Sequence, residues 1–124
     1  MSLTIDSYAW IELIRGTNLG LRSKGLIELA EQTFTPAIVL AEVALRCVHD
    51  GMKESMVRQE LQSMAESSMV VPIDVGLAAA ASKATIELRE RARARRIPLP
   101  GLGDGLVLAT ARKVGTQLLT GISA

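Results

Sequence analysis

The sequence predicts an α/β fold, a central parallel sheet of four or five short strands with helices on both faces. Two observations carry that prediction. Short β-prone runs at residues 3–5, 33–35, 69–73 and 116–120 alternate with segments of helical apolar spacing, and such alternation builds parallel strands joined by crossover helices. The 124 residues also suffice for one domain, read as 1–124, to bury roughly two thirds of its unfolded surface without metal or disulfide staples.

The first run ends at Asp6, and residues 7–14 follow with helical spacing. Asp6 therefore stands at the carboxyl end of a strand, where α/β folds build their sites, and it equally suits a helix cap. Residues 16–20 read as a loop and 21–32 as a second helix, with Leu26, Leu29 and Ala30 facing the core. After the run at 33–35, Pro36 is placed to be the first residue of the next helix. Ten of the twelve residues from 37 to 48 are apolar, the pattern of a helix buried on nearly all sides. The exceptions are Glu42 and Arg46. A buried Glu42 must be paired, protonated or bound to something; Arg46, four residues on, offers an ion pair, which does not exclude a metal on the same carboxylate. His49, the only histidine, sits at the helix end as a cap or a solvated side chain.

Residues 53–67 form an amphipathic pattern with Val57, Leu61, Met64 and Ala65 on one side. Met52 and Met56 add a soft surface suited to core packing or, second, to a partner. Asp74, after the run at 69–73, is placed to cap the longest helix, 75–96, whose stripe is Leu77, Ala81, Ala84 and Leu88. Its last turns hold Arg89, Arg91, Arg93, Arg95 and Arg96, with Glu87 able to pair with Arg91. Cations there match the helix dipole; the alternative is a patch that contacts nucleic-acid phosphates without reading sequence. Pro98 and Pro100 stop that helix. The next begins around Asp104, which sits between two glycines, with Leu102, Leu106 and Ala109 on its apolar side and Lys113 at its wet end. Asp104 falls in or just before the first turn, where a carboxylate accepts free backbone N–H groups.

Composition narrows the function classes. The chain is 48% hydrophobic, yet Tyr8, Trp10 and Phe34 are its only aromatics, so the core is aliphatic and alanine-rich. With 14 basic and 13 acidic residues the net charge of +1 names no partner. Cys47 is alone, which precludes an intramolecular disulfide and leads us to expect a reducing cytoplasm. No secretory signal is expected from the N-terminal residues, and no apolar stretch is long enough to span a bilayer. There are no repeats or linkers, no phosphate loop or dinucleotide fingerprint, and no cysteine–histidine metal spacing.

Asp6, Glu42 and Asp104 are the isolated acids in apolar settings. If the first and fourth strands are neighbours, all three meet at one edge of the sheet. Carboxylates gathered without histidine or cysteine suit hard cations such as Mg²⁺ or Mn²⁺. At ~4 Å two unpaired charges repel by about 4 kcal/mol at an effective dielectric near 20, so such a cluster takes up protons or recruits a cation. A cation held this way can activate water for phosphodiester hydrolysis.

The residues also carry a resemblance. Leu3-Thr4-Ile5-Asp6-Ser7-Tyr8-Ala9-Trp10-Ile11-Glu12 resembles the first motif of the PIN-domain family. Leu40-Ala41-Glu42-Val43 resembles its second, and Leu102-Gly103-Asp104-Gly105-Leu106-Val107-Leu108-Ala109-Thr110-Ala111 its third. The ordered set spans almost the whole chain and is closest in style to VapC-type toxins of toxin–antitoxin pairs. That resemblance implies a three-layer α/β/α PIN-like fold and a Mg²⁺- or Mn²⁺-dependent endoribonuclease acting on RNA. It also implies a homodimer restrained by a cognate antitoxin. It makes Asp6, Glu42 and Asp104 the catalytic metal ligands, with Ser7 and Thr120 as polar supports. One departure stands out: the family commonly has Thr-Gly-Asp after the last motif strand, and this chain has Thr120-Gly121-Ile122. With the fourth acid missing, one tightly held ion is the expected occupancy. The alternative reading is a weakened or inactive PIN-fold module that binds RNA or a protein partner. A phospho-accepting receiver domain fits poorly, lacking an acidic pair after the first strand and a lysine after a late one.

Overall fold

The computed structural model describes residues 1–120. Ile122 lies outside them. Along the chain run β1 (Ser2–Ile5), α1 (Ser7–Arg15), α2 (Asn18–Leu29), β2 (Gln32–Pro36) and α3 (Ala37–His49). There follow α4 (Glu54–Ser67), β3 (Met69–Val71), α5 (Val75–Arg95), α6 (Leu102–Val114) and β4 (Gln117–Leu119). The strands form one parallel sheet in the order β3-β2-β1-β4, in a three-layer α/β/α arrangement.

The sheet order follows from burial. Leu3, Thr4 and Ile5 on β1 are all buried, as a central strand covered on both faces requires. β1 pairs with β2 (Thr4 opposite Phe34) and with β4 (Ile5 opposite Leu119). The first and last strands are therefore neighbours, and the Asp6 N–H extends their ladder by donating to the Leu119 carbonyl at 3.1 Å. The main core joins Ile5, Ala9, Trp10, Val39, Val43 and Met64. A second cluster packs Leu77, Ala81 and Ala84 of α5 against Leu106 and Ala109 of α6, as the stripe on α5 predicts. No helix among the described residues is long and apolar enough to cross a membrane.

Several local expectations are corrected. α2 begins at Asn18 rather than 21, because the Thr17 hydroxyl caps it by accepting from the Gly20 N–H at 3.1 Å. Its inward side is Gly20, Ser23 and Ile27, while Leu26 and Leu29 are exposed. Gly20 decides the phase: a Cβ there would collide with the Glu12 backbone, so α2 lies directly on α1. α3 is buried on one side only. Val39, Val43 and Cys47 face the core, while Leu45 and Val48 are 73% and 57% exposed, so its apolar circumference leaves a stripe facing water. Pro36 caps α3 instead of opening it. β3 stops at Val71, and Ala65 and Leu102 are exposed. Arg46 pairs with Asp50 at 3.4 Å and not with Glu42; Glu87 pairs with Arg112 of α6 at 2.9 Å and not with Arg91. His49 is solvated beside Asp50, as expected.

Candidate functional site

Asp6 leaves β1 in extended conformation and caps α1, its Oδ1 accepting from the Ala9 N–H at 2.8 Å. Position and cap are one fact: a residue between a strand and a helix has the non-helical backbone that a cap requires. Glu42 projects from α3, half-buried. Asp104 lies in the first turn of α6, where its Oδ2 accepts from the Gly101 N–H at 3.1 Å. The helix itself is capped by Gly101, so Asp104 satisfies a free donor from within the turn. Asp74, by contrast, is a cap and ion-pair partner only: it accepts from Leu77 N–H at 2.8 Å and meets Lys113 at 3.1 Å.

All three acids open onto one cleft of about 510 Å³, and Ser7 and Thr120 line it too. Topology explains the gathering. Asp6 and Thr120 directly follow the adjacent parallel strands β1 and β4, Glu42 follows β2 on the other side of β1, and α6 leads into β4. The Glu42 carboxyl responds to this gathering. Burial pushes the Glu42 carboxyl above the ordinary glutamate range; the Asp104 charge pushes it further, a hydrogen bond with Ser7 opposes this, and Asp6 adds to the rise. Each cause but the Ser7 bond disfavours a second or third negative charge.

Two glycines of α6 do different work here. A Cβ on Gly105 would overlap the Thr85 hydroxyl and approach the Ala81 carbonyl at 2.7 Å, so Gly105 lets α5 and α6 touch. A Cβ on Gly103 would stand 2.7 Å from Glu42 Oε2, so Gly103 leaves the space that the carboxylate occupies. The donor chemistry fits a hard cation: oxygen ligands of one sign gathered on one cleft. Among the described residues, no group of three His, Cys, Asp or Glu side chains is arranged to hold a metal ion.

The cleft also has an apolar side that the sequence reading did not place there. Leu88 of α5, Leu108 of α6 and Leu118 of β4 line it, with the strap Pro98-Leu99-Pro100. Arg89 anchors that strap by donating from Nε to the Pro100 carbonyl at 3.0 Å, so this member of the arginine run is committed to the fold. Tyr8 also faces the cleft. Its signal was present in sequence, one of three aromatics and two residues after a site acid.

Comparison with known proteins agrees with this layout. A family model described as PIN domain matches residues 3–121. No curated protein sequence matches the chain. Among solved structures, VapC20 of Mycobacterium tuberculosis, a sarcin–ricin loop cleaving toxin, superposes with a TM-score of 0.73 at 16% identity, covering 95% of this chain and 88% of that one. A toxin–antitoxin complex from Klebsiella pneumoniae gives 0.65 at 19% identity, over 95% and 84%. VapBC2 from Rickettsia felis, bound to a promoter DNA fragment, gives 0.66 at 16%, over 97% and 86%.

Proposed function

Because the chain belongs to the PIN-domain family, we infer that it is a divalent-metal-dependent endoribonuclease of the toxin–antitoxin type. The observation that carries the reading is the convergence of Asp6, Glu42 and Asp104 on one cleft, with the Glu42 carboxyl held above its ordinary range by burial and by the other two acids. A Mg²⁺ or Mn²⁺ bound there would polarise a phosphate oxygen and activate water for attack at phosphorus. Asp6, Glu42 and Asp104 would supply the charge that holds it. Ser7 orients Glu42 through its hydrogen bond, and the Thr120 hydroxyl lies on the same cleft. The neighbouring structures that contain antitoxins support a cognate antitoxin as partner of this chain. The water-facing stripe of Ala41, Leu45 and Val48 on α3 supports a homodimer, since an apolar stripe of this kind suits a covered face. We place the protein, as one domain over 1–124, in the cytoplasm on the strength of its lone, buried cysteine.

A second reading is favoured by Ile122, which stands where the family commonly has an acid: a PIN module that binds RNA or protein and cuts weakly or not at all. One experiment separates the two. Purified protein is incubated with structured RNAs in Mn²⁺, with EDTA and Asp104→Asn controls, beside Ile122→Asp. Metal-dependent cleavage lost in Asp104→Asn establishes the nuclease. Cleavage that appears only in Ile122→Asp establishes the weakened module, and RNA left intact by both proteins excludes the nuclease reading.

A further inference from the structure

Tyr8 is 48% exposed on the cleft that holds the three acids. The other two aromatics have structural work. Trp10 is buried in the core and donates from Nε1 to Thr35 Oγ1 at 3.2 Å. Phe34 sits in the sheet, opposite Thr4 on one side and Met69 on the other. A single exposed aromatic is ordinary on a protein surface. What makes this one informative is its company: the same cleft carries Leu99 and Leu118, 52% and 37% exposed, beside Leu88 and Leu108. Carboxylates and a cation act on phosphate and have no use for an apolar wall. A nucleotide presents both chemistries a few ångströms apart, an anionic phosphate and a flat base with an apolar face.

Resting on the ribonuclease reading above, we propose that Tyr8 is a stacking platform for one unpaired base of the RNA, which sets the adjoining phosphate against the three acids. The tyrosine ring is suited to this because every base has a π-face and stacking is sequence-tolerant. A base inside a duplex already has both faces covered, so the platform selects an unstacked nucleotide. The anchor from Arg89 to the Pro100 carbonyl holds Leu99 on the cleft as part of the apolar wall beside the base.

The test uses a single-stranded RNA oligonucleotide carrying 2-aminopurine, whose fluorescence is quenched by stacking. It is titrated with the full chain in Ca²⁺, a hard cation that carboxylates can hold against a phosphate, and shown intact by gel afterwards. The parent and Tyr8→Phe should bind with equal affinity and quenching. Tyr8→Leu keeps apolar bulk without a π-face and should bind without the added quenching; Tyr8→Ala should lose it and bind about tenfold more weakly or worse. Because Tyr8 is half-exposed, circular dichroism should report all four proteins folded, with Tyr8→Leu standing in if Tyr8→Ala is not. RNA bound with the same affinity and quenching by the parent, Tyr8→Leu and Tyr8→Ala overturns the platform and leaves the RNA reading standing. No RNA bound by the parent overturns the RNA reading, and the platform falls with it.

Discussion

Glu42 occupies the space that a side chain on Gly103 would fill: a Cβ built there stands 2.7 Å from Glu42 Oε2. The contact is with the far end of a flexible side chain, so it can be relieved by moving the carboxylate rather than the backbone. Gly103→Ala should therefore leave stability nearly intact, because helix propensity offsets the displacement, with Tm within about 4 °C of the parent. The displaced carboxylate should weaken Mn²⁺ binding roughly tenfold, measured by calorimetric titration. Unchanged Mn²⁺ affinity would show that Glu42 does not hold the ion.

Neutralising Glu42 tests the same carboxylate through its charge. Its folded pKa is raised, first by burial and then by Asp104, so the native state binds this proton more tightly than the unfolded chain does. Stability is then lost as pH rises from the ordinary glutamate range through the raised value. In EDTA, Glu42→Gln should raise Tm at pH 7 and flatten the pH dependence across that window; in Mn²⁺ without EDTA, it should abolish the stabilisation that the metal gives the parent. A lower Tm at pH 7 would mean that Glu42 is ionised for the sake of the fold.

Gly105→Ala should behave in the opposite way to Gly103→Ala. The added methyl meets the Thr85 hydroxyl, which can rotate away only by giving up its bond to the Ala81 carbonyl, and that carbonyl itself, which is backbone and moves only with α5. Overpacking of this kind costs about 3 kcal/mol or more. Thermal unfolding should show a Tm depressed by more than 9 °C, about three degrees per kcal/mol.

Arg93 and Arg95 form no ion pair among the described residues, whereas Arg89 is tied to Pro100. If the exposed pair meets RNA phosphates, Arg93→Ala/Arg95→Ala should reduce the slope of log affinity against log salt by ~0.7 for each lost contact on single-stranded RNA. An unaltered slope would return both side chains to dipole-matched solvation at the end of α5.

The order of strands and helices and the acids at their junctions were determined by sequence alone, because both depend on local signals: apolar period, proline stops, and the demand of a helix start for an acceptor. Asp6 after β1 and Asp74 before α5 were legible as caps for that reason. The tertiary structure decided which sides of those helices are inside. α2 and α3 carry apolar residues around most of their circumference, so period alone names no inner face. The phase came from Gly20 lying on the Glu12 backbone and from α3 having core on one side only. Ion pairs were equally undetermined, since long charged side chains reach several partners, and Arg46 and Glu87 found theirs in Asp50 and Arg112. The two glycines flanking Asp104 look alike in sequence; one makes room for a carboxylate and the other for a helix. That difference exists only once α3 and α5 are packed against α6, because a missing side chain acquires a purpose from what stands opposite it.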